Sequence, residues 1–271
     1  MAEVIYRPAR VAGGVQIPPS KSAAHRALLC AALCGAPCTV SPVDASADMH
    51  ATLAGIRALG AGVSFENGVV RVAPGERPAH AVVDCGESGS TLRFLIPVFA
   101  ALGIEAAFIG RGRLPERPIG VYTALLPQHG VQVETAGGLP LKIHGRLQSG
   151  EYRLPGNVSS QFITGLLFAL PLLCGDSEIV LTTPLESKGY IDLTVEVLRD
   201  FGISVRETPR GWLVPGGQAY RAPSYSVEGD WSQAAFFLSA AAVGGGPVAL
   251  RGPRPESVQG GRACVGVLRR F

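Results

Sequence analysis

The chain is poor in charge, and what charge it has is scattered. Only 17% of its 271 residues are charged and the net charge is +3, which does not resemble the basic stripe of a nucleic-acid-binding protein. The longest apolar stretch, 162–174, is shorter than the about 18 residues that a membrane-spanning helix needs. The first residues lack a signal-peptide pattern. We therefore expect no nucleic-acid partner, no membrane segment and a cytoplasmic location.

Metal-binding patterns are also missing. The six cysteines form no Cys-x-x-Cys pair, and the five histidines have no spacing typical of a metal site. Cys30, Cys34 and Cys38 recur every four residues in an alanine-rich region, which is typical of small buried apolar side chains. We expect neither a metal nor a cofactor.

Hydrophobic residues make up 47% of the chain, enough for one large or two modest domains with a substantial core.

What the sequence does contain is an unusual helix start at residues 18–29. Two prolines end an extended segment, Ser20 or Ser22 is a natural N-cap, and an apolar helix follows. Lys21, Ser22 and Arg26 fall within its first two turns, where free backbone N–H groups and the helix dipole favour a phosphate or carboxylate. The alternative is an ordinary capped helix with solvated basic residues.

Three segments of the chain repeat one another. Gly60, Gly130 and Gly202 each follow a helical pattern and precede an alternating strand, a turn and a second short strand. Working backward from each glycine, the pattern predicts first helices near 22–33, 90–102 and 159–173, and second helices near 46–59, 117–129 and 190–201. The chain therefore predicts three βαβαββ units closing around shared helices.

The repeat brings separate polar motifs together. The first helix of unit two opens with 85–91 and Arg93, and that of unit three opens with 156–161. If the units are related by a pseudo-threefold axis, these helix starts and residues 20–26 surround one anion-binding surface. The alternative is three separately capped helices, since Ser and Thr are common N-caps.

Six motifs, in order along the chain, resemble the 3-phosphoshikimate 1-carboxyvinyltransferase (EPSP synthase) family: 19–26, 89–93, 113–118, 159–161, 187–192 and 227–230. The resemblance implies an α/β fold of two domains, each built from three βαβαββ units with helices packed inside. It also implies transfer of the enolpyruvyl group of phosphoenolpyruvate to the 5-hydroxyl of shikimate 3-phosphate, with release of phosphate, in the shikimate pathway.

The resemblance also implies site residues. Lys21 resembles the lysine that contacts phosphoenolpyruvate and assists proton transfer, and Gly89 and Arg113 resemble further phosphoenolpyruvate contacts. The positions that resemble shikimate 3-phosphate contacts are Ser22, Arg26, Ser159, Ser160, Gln161 and Ser187, with Tyr190 as a ring-packing residue. For Arg113 the alternative is a solvated side chain, and for Ser187 a simple turn.

Glu87 departs from the family pattern, since many members carry Asn there. A carboxylate beside two anionic substrates is unfavourable unless it points away or pairs with Arg93.

Domain boundaries follow from the family pattern. It implies a complete shikimate 3-phosphate-binding domain at 20–228, with 1–19 and 229–271 forming an incomplete second domain of the same type. Members of the family continue past the position of Phe271, so we expect the general-base aspartate beyond it, a C-terminally truncated chain, doubtful activity of these 271 residues alone, and a monomer at full length.

Two alternatives stay open at this stage. The sister UDP-N-acetylglucosamine enolpyruvyl transferases typically carry a Cys in the loop equivalent to 111–117, where this chain has none. The other alternative is a non-catalytic fragment that binds shikimate 3-phosphate without converting it.

Overall fold

The structure is a computed structural model that describes residues 11–270, and its chain divides into two compact units. The larger unit is Lys21–Val227, and the smaller one combines the described residues up to Ser20 with those from Glu228 onward. The described helices are α1 (Lys21–Leu33), α2 (Ala47–Ala58), α3 (Gly89–Leu102), α4 (Gly120–Leu125), α5 (Ser160–Ala169), α6 (Lys188–Asp200), α7 (Trp231–Gly244) and α8 (Ala263–Leu268). The length and hydropathy of these helices identify none that could cross a bilayer.

The described strands are β1 (Gly13–Gln16), β2 (Cys38–Ser41), β3 (Gly62–Glu66), β4 (Val69–Ala73), β5 (His80–Asp84), β6 (Glu105–Ile109), β7 (Val131–Thr135), β8 (Leu141–Gly145), β9 (Glu151–Leu154), β10 (Ser177–Leu181), β11 (Arg206–Thr208), β12 (Gly211–Val214), β13 (Ser224–Ser226) and β14 (Val248–Arg251).

Three four-stranded sheets of one topology form the larger unit. Their orders are β5-β6-β8-β7, β9-β10-β12-β11 and β13-β2-β4-β3. In each sheet the first two strands are parallel and the remaining pairs antiparallel. This confirms the predicted α/β fold of three βαβαββ units. The leading strand of the first unit is β13, which the chain reaches last, while β1 pairs with β14 in the smaller unit.

Glycine ends the second helical segment of each unit, as predicted. Gly60, Gly130 and Gly202 have φ of +94°, +83° and +78°, a backbone region that suits glycine. At Gly60 the backbone is also tightly packed, because a Cβ there would overlap the carbonyl of Glu76. The second unit deviates in one respect: α4 ends at Leu125 and continues as a 3₁₀ turn, Leu126–His129, that contains Pro127.

The first helices of the three units form the centre of the larger unit. Residues 23–33 of α1, 91–101 of α3 and 162–169 of α5 are buried, so these mostly apolar helices are covered around their whole circumference. The sheets cover them from outside with alternating inward side chains such as Val70 and Val72. The expectation of helices packed inside the domain is confirmed.

Each second helix carries one buried hydroxyl that connects two central helices. Thr52 of α2 lies between α1 and α3, Tyr122 of α4 between α3 and α5, and Thr194 of α6 between α5 and α1. The hydrogen bonds are 2.7–3.0 Å long. Buried polar groups need such partners, so the three hydroxyls fix the register of the central helices around the pseudo-threefold axis.

The smaller unit has a modest core. Among the described residues of this unit the buried apolar ones are Ile17, Trp231 and Ala234, while Phe236 on α7 is 72% exposed. Asp230 caps α7, accepting hydrogen bonds from the amides of Ser232 and Gln233 at 2.8 and 3.3 Å.

Candidate anion-binding site

A cleft of about 410 Å³ lies in the larger unit where helices α1, α3, α5 and α6 begin. The cleft is lined by Ser22, Arg26, Ser90, Arg93, Phe94, Arg117, Val158, Ser159, Ser160, Gln161, Ser187 and Tyr190. The helix starts of all three units therefore meet at one surface, as the repeat predicted. Free amides at helix N-termini and three guanidinium groups make this surface electropositive.

Arg26 is held rigidly at the floor of the cleft. Only 3% of it is exposed, its Nε donates to Thr194 Oγ1 at 2.8 Å, and its Nη atoms donate to the carbonyls of Ser22 and Tyr190 at 2.8 and 3.0 Å. Burial lowers the pKa of Arg26 to about 10. Its guanidinium also lies 5.3 Å from the ring centroid of Phe94, a cation–π contact. All these partners are neutral, so the positive charge is not compensated by them.

Arg93 and Gln161 connect α3 to α5 at the cleft. Arg93 Nη1 donates to Gln161 Oε1 at 2.6 Å, and Gln161 Nε2 donates to Ser90 Oγ at 2.9 Å. Arg93 Nη2 donates to the carbonyl of Pro118 at 2.9 Å, but its buried Nε finds no hydrogen-bond partner within 11–270. Burial, and to a smaller extent the neighbouring charge of Arg117, lower the pKa of Arg93. A buried N–H without a partner is costly.

Arg117, and not Arg113, is the cleft residue of the 113–118 motif. Arg113 is exposed and lies just before the 3₁₀ turn Leu114–Glu116, while Arg117 follows that turn and lines the cleft. Gly89 borders the same space: a Cβ there would lie 3.0 Å from Arg117 Nη1 and 3.5 Å from Arg93 Nη1. The glycine thus leaves room beside two cations.

Three serine hydroxyls from the starts of α5 and α6 also line the cleft. Ser159 caps α5, accepting from the amide of Gln161 at 3.3 Å, and Ser160 follows at the first helical position. Ser187 precedes α6 at φ +58°, unusual for a residue other than glycine, and its side chain makes no capping hydrogen bond. A strained residue with an uncommitted hydroxyl is typical of a binding site. Tyr190 is half exposed and forms part of the wall.

Lys21 occupies a different position from the other predicted residues. It is the first residue of α1, is exposed, and donates to Asp48 Oδ2 at 2.8 Å. It is not part of the cleft lining, so the structure separates it from the group around Arg26.

Glu87 points away from the cleft. Its carboxylate lies against Gly112, where a Cβ would overlap it, while Arg93 bonds to Gln161 and Pro118 instead. Of the two expectations for Glu87, the structure agrees with the outward orientation.

The family model described as EPSP synthase (3-phosphoshikimate 1-carboxyvinyltransferase) matches residues 5–271. The chain belongs to the EPSP synthase family. It is 43% identical over 274 residues to a 3-phosphoshikimate 1-carboxyvinyltransferase of Clostridium perfringens, and 44% identical over 274 residues to that of Clostridium kluyveri. Each match covers 99% of this chain and 64% of the relative, so the chain spans less than two thirds of their length. A solved EPSP synthase structure from Acinetobacter baumannii matches 96% of this chain and 59% of its own, with a TM-score of 0.84 and 25% identity.

These matches favour the EPSP synthase family over the sister UDP-N-acetylglucosamine enolpyruvyl transferases. Within this EPSP synthase-family chain, the repeat had placed Ser90 and Arg93 at the anion-binding surface without assigning them a ligand contact, and both line the cleft. Reasoning from sequence did not assign Phe94, Arg117 and Val158 to the cleft. Phe94 and Val158 look like any other apolar residues in the sequence.

Proposed function

We propose that the cleft binds shikimate 3-phosphate and that this chain serves the transfer of the enolpyruvyl group of phosphoenolpyruvate to its 5-hydroxyl. The products are 5-enolpyruvylshikimate 3-phosphate and phosphate. One observation carries the proposal: within the described residues, Arg26, Arg93 and Arg117 share one cleft and no carboxylate pairs with them. Three uncompensated cations beside hydroxyl groups suit a ligand with a phosphate, a carboxylate and a polyhydroxylated ring.

The contacts suggest how the ligand is divided among these groups. Ser159, Ser160 and Ser187 offer hydroxyls, and the start of α5 offers free amides, to the 3-phosphate. Gln161 and Arg93 face the ring hydroxyls, and the apolar surface of Tyr190 packs on the ring. Ser22 and Arg26 are assigned to the carboxylate. Arg26 donates three of its five N–H groups to neutral acceptors, which leaves its charge uncompensated and one N–H on each Nη for the carboxylate.

Phosphoenolpyruvate is assigned to the neighbouring space beside Gly89. Arg117 takes the role that the sequence assigned to Arg113, because Arg117 is the arginine adjacent to Gly89. Lys21 is assigned to phosphoenolpyruvate and to proton transfer at the bridging oxygen, where a cation stabilises developing negative charge. This role requires Lys21 to break its ion pair with Asp48. The pair is exposed, so breaking it costs little free energy.

Calorimetry with shikimate 3-phosphate on the 271-residue chain tests the proposal. We expect saturable binding that Arg93→Gln weakens roughly tenfold or more, because a charge-assisted hydrogen bond is lost. Arg153→Gln is the matched control, since Arg153 is an exposed arginine that pairs with Glu151 on a sheet edge. Absence of binding, or equal affinities of the two variants, contradicts the site. Phosphate release on adding phosphoenolpyruvate then distinguishes turnover from binding alone.

A further inference from the structure

Helix α3 lacks one of its backbone hydrogen bonds at Arg93. Pro97 lies inside this helix, so the amide hydrogen that would donate to the carbonyl four residues earlier is absent. That carbonyl belongs to Arg93, the residue whose guanidinium enters the cleft. A buried carbonyl without its helical donor requires another partner.

Tyr122 supplies that partner. Its hydroxyl donates to the carbonyl of Arg93 at 2.8 Å and lies 2.9 Å from the carbonyl of Phe162 on α5. The side chain is fully buried, and its ring meets that of Phe162 edge-on, with centroids 4.9 Å apart. The Phe162 carbonyl has the amide of Leu166 as its ordinary helical donor, so the Arg93 carbonyl is the one that depends on Tyr122.

Gly165 creates the space for this contact. A Cβ at Gly165 would overlap both the Arg93 carbonyl and the Tyr122 hydroxyl, and would lie 3.0 Å from Cγ of Pro97. Proline, tyrosine and glycine from three helices therefore meet at the carbonyl of one cleft arginine. At that carbonyl, Pro97 lacks the amide hydrogen that would bond to it, Tyr122 supplies a hydroxyl donor instead, and Gly165 has no side chain that would block the contact.

The guanidinium of Arg93 contacts the segment just before α4, the helix that carries Tyr122. It donates to the carbonyl of Pro118, just before α4, and lies 4.9 Å from the ring centroid of Phe162. Arg117 directly precedes Pro118 and so belongs to the segment to which the Arg93 guanidinium bonds. Tyr122, four residues after Pro118, bonds to the backbone of the same arginine.

We propose that Tyr122 is a positioning residue of the cleft, whose hydroxyl replaces the helical hydrogen bond removed by Pro97 and so holds Arg93 and Gln161 in their binding geometry. The binding of shikimate 3-phosphate by Arg93 and Gln161 rests on the proposed function, whereas the hydrogen bond from Tyr122 to the Arg93 carbonyl does not. The hydroxyl itself touches no ligand, since it is buried beneath the cleft between α3 and α5.

The test combines Tyr122→Phe, Pro97→Ala and the double variant. Tyr122→Phe removes only the hydroxyl, and we expect shikimate 3-phosphate affinity to fall about tenfold. Pro97→Ala restores an amide donor at position 97, so Tyr122→Phe in that background is expected to change the affinity by less than about twofold. Equal losses in the two backgrounds would overturn the proposal.

Tyr220→Phe is the matched control. Tyr220 is also buried and donates to a carbonyl of α5, that of Phe168 at 2.7 Å, away from the cleft. We expect it to lower the urea midpoint as Tyr122→Phe does, while shikimate 3-phosphate affinity stays unchanged. A loss of affinity in Tyr220→Phe as large as that in Tyr122→Phe would reduce Tyr122 to a general structural residue.

A ligand-free measurement separates failure of this proposal from failure of the proposed function. The ¹H–¹⁵N NMR resonance of Arg93 Nε is expected to shift in Tyr122→Phe, to remain in place in Tyr220→Phe, and to move back in the double variant. If the wild-type chain binds no shikimate 3-phosphate, this pattern still supports the positioning role, and its absence refutes it. If Tyr122→Phe does not fold, the double variant is expected to fold, and failure of both refutes the argument.

Discussion

His25 gives the larger unit a stability that depends on pH. It is buried on α1, with its Nδ1 2.7 Å from Thr52 Oγ1, which in turn lies 2.7 Å from Thr91 Oγ1 on α3. Burial is the main cause that lowers the pKa of His25 from 6.5 to about 3, with smaller opposing and supporting effects of Asp48 and Arg26. The folded chain thus keeps this imidazole neutral, whereas the unfolded chain protonates it below pH 6.5.

The sign and size of the effect follow from that difference. Above pH 6.5 both states are neutral and His25 contributes no pH dependence. As the pH falls from 6.5 towards 3, only the unfolded state gains the proton, so the free energy of unfolding falls by about 1.4 kcal/mol per pH unit. At pH 4.5 the loss relative to pH 7.5 amounts to about 3 kcal/mol, from the two pKa values of His25.

His25→Asn is the matched variant, because its amide retains a polar atom near Nδ1 but does not titrate. Carboxylates titrate in both chains, so the difference between their pH profiles isolates His25. Urea unfolding is followed by the fluorescence of Trp212, which is buried in the larger unit; Trp231→Phe in both chains makes Trp212 the sole tryptophan. Parallel profiles between pH 7.5 and 4.5 would refute the reasoning.

Three further substitutions test the packing. Gly165→Ala is expected to lower the free energy of unfolding by about 1–3 kcal/mol, measured in urea, since its Cβ overlaps a backbone carbonyl and a tyrosine hydroxyl. Gly60→Ala is expected to cost more than Gly137→Ala, because both have positive φ but a Cβ would overlap Glu76 only at Gly60; equal urea midpoints would contradict this. Arg77→Met should lower the thermal midpoint through the loss of two 2.8 Å hydrogen bonds to helix-terminal carbonyls, worth about 1–3 kcal/mol together, and an unchanged midpoint would show that water replaces them.

The repeat was readable in the sequence because glycine is hard to replace where a helix must end with positive φ. Gly60, Gly130 and Gly202 therefore marked the same point in all three units. The helix starts were readable for a similar reason, since capping serines stand out before apolar runs. These local signals were sufficient to predict the α/β architecture and the convergence of three helix starts.

Other features depend on distant partners and have no local signal. β13 has only three residues and finds its place through β2, far away along the chain. Thr52, Tyr122 and Thr194 look like ordinary helix residues until the neighbouring helices are placed. Arg113 and Arg117 flank the same proline-rich segment, and the direction of the 3₁₀ turn between them decides which one faces the cleft.

The pairing of β13 with β2 has a consequence for how the chain acquires its fold. β2 cannot pair with β13 until Ser224, the partner of Thr39, has been synthesised. One edge of β2 therefore stays unpaired while the second and third units emerge from the ribosome. Those two sheets are each built from neighbouring segments, 80–145 and 151–214, and are able to form earlier. The pairing of β2 with β13 joins two segments that lie far apart in the sequence, at the two ends of the larger unit. Contacts of such large sequence separation are slow to form. We expect this pairing to be the late step of folding, with the amides of β2 the last of the larger unit to gain protection from hydrogen exchange.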